Sequence, residues 1–183
     1  MNITPFPKIS TNRLLLRKIN EIDAESILFL RSDKIVNQFI QRPPERQINT
    51  LDKALAHINK LNTLTENNQS ITWGITLKNN PNIIGTICLW NFSNNNTVVE
   101  VGYDLHPDYH RKGIMSEALK SVIQFSFEEL KFQKIEAYTH LKNESSKMLL
   151  ERNGFNLVEN KYDEDNSSNI IFEIINPKQK PNK

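Results

Sequence analysis

The sequence predicts a single α+β domain, built on a mixed central sheet of about six to seven strands with about four flanking helices. Its length of 183 residues suits one domain with a substantial core. Apolar residues recur mostly at period two as far as residue 105, and helical periods separate the strands after that point. We therefore expect antiparallel strands first, and then a parallel pair of strands joined by a helical crossover.

The first half of the chain is predicted to hold two helices and most of the antiparallel strands. The helices are expected at residues 20–30, capped by Asn20, and at 51–64, after the break that Pro43 and Pro44 impose. Strands are expected at residues 14–19, 71–78, 83–90 and 98–105. The loop 38–49 is of a kind that often borders a binding cleft, although an ordinary connection explains it as well.

The second half begins with a strand whose two faces differ in chemistry. Residues 98–105 place Val99 and Val101 on one face, and Glu100 and Asp104 on the other. A helix at 112–130, a strand at 134–140, a helix at 144–152 and a closing hairpin of 155–161 with 169–175 follow. Residues 9–176 then form the domain, with an N-terminal extension at 1–8 and a basic tail at 177–183.

Composition argues against two classes of partner. The 23 Lys and Arg residues nearly balance the 21 Asp and Glu residues, so a nucleic-acid-binding face is not expected. No apolar run reaches the roughly 18 residues of a membrane span, and because the N-terminus lacks a basic and then apolar pattern, secretion by a standard signal peptide is not expected. With a single cysteine, Cys88, expected to be a buried and inert thiol, the protein is predicted to be cytoplasmic.

The turn between the 98–105 strand and the next helix carries the first sign of function. It contains His110, Arg111, Lys112 and Gly113. Glycine at a helix start lets backbone N–H groups approach an anion, and the helix dipole favours negative charge there. A phosphate-bearing ligand is therefore predicted, although a plain solvated helix start also fits the residues.

Four segments together resemble the GCN5-related N-acetyltransferases, and more narrowly their RimJ/RimL-type members. They are the start from Ile9 to Arg17, the strand residues Glu100 to Tyr103, the stretch Lys112 to Leu119, and the stretch from Asn143 to Phe155. The resemblance covers roughly residues 9 to 175. It implies transfer of an acetyl group from acetyl-CoA to a primary amine in a ternary complex, with a protein N-terminal α-amine, as on a ribosomal protein, as the leading acceptor.

The resemblance also assigns roles to residues. The cofactor would be held by the end of the strand, by the loop and first helical turn, and by one residue before the last helix: Asp104, Leu105, His110, Arg111, Lys112, Gly113, Ile114, Met115, Ser116 and Asn143. Backbone N–H groups near Leu105, where the parallel strands splay, would stabilise the tetrahedral oxyanion. His110 and Met115 depart from the family pattern, which usually has Gln or Arg and a small residue at these places.

The catalytic assignments leave alternatives open. Glu100 would be the base, acting through water, or else a solvated or salt-bridged strand carboxylate. Ser146 is a candidate proton donor to the thiolate, because Leu150 stands where many relatives have a tyrosine acid. Asn143 would bond the pantetheine arm or merely cap its helix. The acidic loop Asp163 to Asp165 would attract a cationic amine or serve no function.

Other functions remain open at this stage. A small amine such as a polyamine, amino acid or antibiotic is an alternative acceptor, and a non-catalytic acyl-CoA-binding module is an alternative of a different class. No metal is expected, because His106 and His140 lack further ligands at metal spacing. The sequence leaves both a monomer and a homodimer open.

Overall fold

The computed structural model describes residues 3–40 and 43–178. It contains four α-helices in those ranges: α1 (Ala24–Ser32), α2 (Leu51–Glu66), α3 (Ile114–Glu128) and α4 (Glu144–Arg152). The strands are β1 (Ile9–Ser10), β2 (Leu14–Lys18), β3 (Ile71–Leu77), β4 (Asn80–Trp90), β5 (Val98–Leu105), β6 (Lys134–His140), β7 (Asn156–Leu157) and β8 (Asn169–Ile175). All eight strands belong to one sheet, in the order β1-β2-β3-β4-β5-β6-β8-β7.

The sheet is mixed in the way that the sequence predicts. Strands β1 to β5 pair antiparallel, β5 pairs parallel with β6 across the α3 crossover, and β6 pairs antiparallel with β8. A long connection containing a helix is what a parallel pair requires. The single α+β domain, the antiparallel first half and the one parallel pair are thus confirmed.

The two faces of the sheet pack against different helices. The larger core joins α3 to the face of β5 that bears Val99 and Val101, and Trp73 and Phe172 are among its largest fully buried members. A second cluster joins α1 to α2 through Ala24, Ile27, Ala54 and Ile58. Helix α3 therefore lies on one side of the sheet, and α1 and α2 lie on the other.

Three element boundaries differ from the prediction. The sheet has eight strands in the described residues instead of six or seven, because the two-residue β1 adds an edge. The strand predicted at 155–161 is only β7, and Asn160 with φ of 65° turns the chain out of extended pairing. The helix predicted from residue 20 starts as one 3₁₀ turn, Glu21–Asp23, before α1.

The ends of the chain lie partly outside the described residues. Of the predicted N-terminal extension, residues 1–2 are outside, while Ile3 is buried in the core and the Trp73 indole N–H donates to the Pro7 carbonyl at 2.6 Å. Of the predicted basic tail, residues 179–183 are outside, as are residues 41–42 of the loop between α1 and α2. In the parts that the structure describes, none of the helices is both long and apolar enough to cross a membrane.

Candidate active site

The parallel pair opens into a gap after only three residues. The two strands pair at three positions only: Val98 with Lys134, Val99 with Ile135, and Glu100 with Glu136. Beyond these positions the two strands no longer pair with each other. The backbones of Val101 to Leu105 and Ala137 to His140 therefore diverge. Splaying of this pair was predicted near Leu105, and the structure begins it directly after Glu100.

A cleft of about 950 Å³ runs along this gap on the side of α1 and α2. Its lining comes from β4, β5 and β6, from the first turn of α4, from the loop before α2 and from α2 itself. The loop predicted to border a cleft does so, through Phe39, Ile40, Pro43, Arg46, Gln47 and Ile48. A volume of this size lies at the upper end of the range for small-ligand sites, about 300–1,000 Å³.

The predicted anion loop has the backbone geometry that an anion site needs. Arg111 and Gly113 both adopt positive φ, 59° and 71°, and Gly113 is the N-cap of α3. Within the described ranges, no backbone N–H from residue 111 to residue 116 donates a hydrogen bond to another group. Six consecutive donors therefore remain for a ligand at the positive end of the helix dipole.

A clamp from the N-terminal hairpin holds this loop in place. The Arg13 guanidinium donates to the Lys112 carbonyl at 2.9 Å and to the Glu117 carboxylate at 2.6 Å. Glu117 also accepts from the Thr11 hydroxyl and from the Arg13 backbone N–H. Burial raises the pKa of Glu117, but these hydrogen bonds and the Arg13 charge outweigh it and hold the pKa below its ordinary value.

Several side chains that were predicted to bind the cofactor are buried or hydrogen-bonded within the protein. Ile114 and Met115 are buried in the larger core, and the Ser116 hydroxyl donates to the Asn153 side chain at 3.2 Å. The His110 Nε2–H donates to the Leu105 carbonyl at 2.9 Å, which ties the loop to the end of β5. The backbone N–H groups of Ile114, Met115 and Ser116 have no partner in the described ranges, whereas the His110 N–H donates to the Pro107 carbonyl at 3.0 Å. The departures from the family pattern at His110 and Met115 therefore change side chains that the protein itself uses.

A pair of hydroxyl groups stands where the gap meets α4. The Tyr103 and Ser146 hydroxyls are 2.8 Å apart, and Ser146 N–H donates to the Asn143 side chain at 3.1 Å. Burial raises the pKa of Tyr103 to about 12, against a smaller opposite effect of the Ser146 hydrogen bond. Tyr103 is therefore a neutral hydrogen-bond donor at physiological pH. The capping role of Asn143 is confirmed, and Tyr103, Asn143 and Ser146 all line the cleft.

Leu150 and Cys88 are now accounted for. Leu150 is fully buried and packs in the larger core, so the place of the missing tyrosine is filled by packing.

Cys88 is a free thiol that lines the cleft. The sequence predicted a fully buried thiol, but the residue is partly exposed. Burial of its sulfur raises the pKa of Cys88 to about 11, so the thiol stays protonated and inert, as predicted.

Glu100 and Asp104 share a face of β5 but differ in access. Glu100 is 8% exposed, accepts from the Asn91 side chain at 2.5 Å and does not line the cleft. Burial raises the pKa of Glu100 above its ordinary value, Asn91 opposes the rise, and the Glu136 charge adds to it. Asp104 lines the cleft, and its carboxylate accepts from both the N–H and the hydroxyl of Thr86, at 2.9 and 2.8 Å.

Beside Glu100, a second buried carboxylate is neutralised by lysines. Glu136 accepts from Lys134 at 2.8 Å and from Lys161 at 2.5 Å, and Lys134 also pairs with Glu173. Burial raises the pKa of Glu136, but the two lysines outweigh that effect and lower it overall. In the described residues, no group of three His, Cys, Asp or Glu side chains is placed to hold a metal ion.

The fold and the arrangement of this site indicate one class of protein, the acyltransferases that use a phosphate-bearing thioester as donor. Residues 13–156 match the model of the acetyltransferase (GNAT) domain, which is most of the chain. The protein therefore belongs to the GNAT acetyltransferase family, and it is an acyl-CoA-dependent N-acetyltransferase with acetyl-CoA as its donor.

Individual relatives agree with this assignment. The uncharacterized N-acetyltransferase YoaA of Bacillus subtilis is 30% identical over 150 residues, which are 82% of this chain and 83% of the relative. A ribosomal-protein-serine acetyltransferase described as putative, from Vibrio cholerae, superposes with a TM-score of 0.80 over 94% of this chain and 99% of its own, at 24% identity. The ribosomal-protein-S5-alanine acetyltransferase of Vibrio fischeri superposes at 0.79 over 96% and 100%, also at 24% identity. At such identities the two structures establish the shared fold.

Two residues of the site were missed by sequence reasoning. Tyr103 was assigned no role beyond its place in the strand and in a family-like segment, although a buried tyrosine hydroxyl usually has a partner and Ser146 was already a candidate. Arg13 counted only as a residue of a family-like segment. Its link to Lys112 spans 99 positions in the sequence, and no local pattern reveals such a contact.

Proposed function

We propose that this protein acetylates the α-amine of a protein N-terminus by direct attack on acetyl-CoA in a ternary complex. The observation that carries this proposal is the cleft of about 950 Å³ on the α1 and α2 side of the splayed strands. It lies across the sheet from α3, whose N-terminal loop would hold the donor, so both substrates can reach the gap together. The ribosomal-protein acetyltransferases among the similar folds support a protein acceptor.

In this proposal the donor is held mainly by backbone groups. The N–H donors of residues 111–116 would bind the pyrophosphate, with Gly113 at the closest approach. Arg111 and Lys112 add positive charge beside it. The divergent ends of β5 at Asp104 and Leu105, together with Asn143, would face the pantetheine arm, and free strand N–H groups there would stabilise the oxyanion.

The acceptor amine must lose a proton to attack. An α-amino group with a pKa of about 7.7–8.0 is partly neutral at physiological pH, whereas a lysine with a pKa of about 10.4 is not. Glu100 would take the proton through water, and its raised pKa makes it a better base than an ordinary carboxylate. Asp104 is the rival, because it lines the cleft itself.

The leaving thiolate would be stabilised by Ser146. When Tyr103 donates to Ser146, the serine O–H is free to point into the gap. The nitrogen–carbon bond forms as the carbon–sulfur bond breaks, and the proton lost by the amine balances the one that the thiol gains. The raised pKa of Tyr103 keeps it protonated throughout this step.

The test of the function is acetylation of peptides that differ only in where an amine is available. We expect acetyl-CoA to modify a peptide with a free N-terminus, with the acetyl group located on the α-nitrogen by mass spectrometry. An N-terminally blocked peptide that retains a lysine should stay unmodified. Exclusive acetylation of small amines, or binding of acetyl-CoA without thiol release for any amine, would contradict the proposal.

The catalytic assignments have their own test. Glu100→Gln should lower kcat/KM and remove the acidic limb of its pH profile, while Asp104→Asn should keep that limb. The opposite pattern would make Asp104 the base. Ser146→Ala should lower kcat and leave CoA affinity nearly unchanged, and Ser126→Ala, which removes a buried hydroxyl of α3, serves as the matched control. Equal kcat for these two variants would rule out Ser146.

A cytoplasmic place of action belongs to the same proposal. The lone cysteine suits a reducing compartment, where thiols stay reduced.

A further inference from the structure

One wall of the acceptor cleft is cationic. The side chains of Arg31, Arg46, Lys53 and Lys60 line it, whereas Asp104 is the only carboxylate in the lining that the structure describes. Asp104 lies on the sheet at the floor of the cleft, and its carboxylate already accepts two hydrogen bonds from Thr86. The positive charges lie on α1, on the loop before α2 and on α2.

The basic residues of α2 line the cleft, whereas its acidic residues do not. Its cleft-lining residues are Lys53, Ala56, His57, Lys60, Leu61 and Leu64, at the three- and four-residue spacing of one helix face. The two acidic residues of α2, Asp52 and Glu66, do not line the cleft, and Glu66 pairs with Lys18 outside it. Both lysines of the helix therefore face the acceptor side, and both carboxylates face away.

These cations are not neutralised by the described part of the chain. Arg31, Arg46, Lys53 and Lys60 form no ion pair with any residue of the ranges 3–40 and 43–178. The Arg31 charge reaches the Cys88 thiol on the sheet, where it partly opposes the burial that raises the pKa of that thiol. The positive field thus extends from the rim of the cleft to its floor.

We propose that the acceptor is an acidic N-terminal segment, whose carboxylates bind this wall while its α-amine reaches the gap above Asp104. The inference rests on the proposed function and names its substrate class. Lys53 and Lys60 are seven residues apart on the helix, which is about 10 Å at a rise of 1.5 Å per residue. An extended peptide covers that distance in about three residues, so carboxylates about three positions apart match the two lysines. The acidic loop Asp163 to Asp165, predicted as a possible attractor of cationic amines, does not line the cleft.

The experiment compares two peptides with the same free N-terminal residue. One carries Asp or Glu at its third and sixth positions, and the other carries Asn or Gln there. We expect kcat/KM to be about fivefold or more higher for the acidic peptide at low salt, which is what two partly exposed ion pairs supply. The preference should fall as sodium chloride is added, since salt screens exposed charges.

Variants locate the effect on the wall. The double variant Lys53→Gln with Lys60→Gln should reduce the preference for the acidic peptide to below about twofold. Lys8→Gln with Lys120→Gln removes two exposed lysines that do not line the cleft, and it should keep the full preference. Unfolding temperatures of both variants verify that each is folded.

The outcomes separate the two proposals. Equal rates on both peptides, or an undiminished preference in the cleft variant, overturn the acidic-acceptor inference and leave N-terminal acetylation intact. Acetylation of neither peptide overturns the proposed function. Acetylation restricted to a phosphate-bearing small amine overturns both, even though it would use the same cationic wall.

Discussion

Gly113 offers the sharpest test of the cofactor loop, because the chain contains a second glycine with nearly the same conformation. Gly113 has φ of 71° and Gly154 has φ of 87°, and in each case a Cβ would meet its nearest neighbour at 3.5 Å, an ordinary contact. Alanine at either position therefore causes no clash. It adds only the cost of a left-handed residue with a side chain, about 1–2 kcal/mol.

The two alanine variants should bear this cost differently. At Gly154, behind α4, the neighbouring Asn153 and Phe155 are buried, so the strain should appear as a loss of about 1–2 kcal/mol in unfolding free energy. The Arg13 clamp holds the Lys112 carbonyl, but the backbone N–H groups beside Gly113 have no partner in the described ranges. The peptide at residue 113 in the Gly113→Ala variant is therefore able to relax out of the left-handed region. CoA would then have to restore that conformation, and its affinity should fall about 5- to 30-fold, the equivalent of 1–2 kcal/mol.

The assays are isothermal titration of CoA and denaturant unfolding, applied to Gly113→Ala, Gly154→Ala and the parent protein. Gly154→Ala should keep the CoA affinity of the parent and lose stability. If Gly113→Ala also keeps the parent affinity and loses only stability, CoA binding does not depend on the conformation of residue 113. The loop assignment would then be wrong.

Three further predictions follow from other contacts. Arg13→Met removes the hydrogen bond that fixes the Lys112 carbonyl of the loop. Because one hydrogen bond usually contributes about 0.5–1.5 kcal/mol, CoA binding should weaken about 2- to 10-fold. Unchanged affinity in the same titration would argue against the clamp. Lys134→Met leaves buried Glu136 with one lysine and should cost about 1–3 kcal/mol in denaturant unfolding at pH 7, whereas Lys161→Met should cost less because that lysine is 40% exposed and screened. Because the pKa of Glu136 is lowered in the folded state, the ionised carboxylate stabilises the fold above the ordinary glutamate pKa. The loss of unfolding free energy in Lys134→Met should therefore shrink as pH falls through the pKa of Glu136 in the folded protein. A loss that grows on acidification would contradict the pairing. Leu150→Ala should cost about 2–5 kcal/mol by opening a cavity, with kcat unchanged once the protein is folded; loss of kcat in a folded variant would give Leu150 a role beyond packing.

The elements that the sequence predicted well are those with strong periodicity. The strand Val98–Leu105 and the strand Lys134–His140 agree with the predicted bounds, because alternation and turn residues define both ends. The α3 crossover between them made the parallel pairing a consequence of chain geometry. The strand predicted at 155–161 was too long, because Asn160 adopts a positive φ that ends the pairing and no local pattern in the sequence marks that turn.

The site was harder to predict than the fold, because it depends on contacts distant in sequence. Gly113 was identified from local chemistry, and its positive φ agrees with that interpretation. The bond between Tyr103 and Ser146 joins residues 43 positions apart, on a strand and a helix whose relative placement only the folded chain defines. The cationic wall likewise needs α1, α2 and the loop between them brought to one side of the sheet.

The short parallel pairing affects where another chain can add a strand to the sheet. Within residues 3–40 and 43–178, the outer margins of the sheet are the two-residue strands β1 and β7, which offer little backbone for a foreign strand to pair with. The longer stretches of unpaired strand backbone lie inside the molecule, along the facing ends of β5 and β6. Strand addition from outside is thus disfavoured at the sheet edges, and an extended molecule finds unpaired backbone N–H and C=O groups chiefly in the gap that we propose for acetyl transfer.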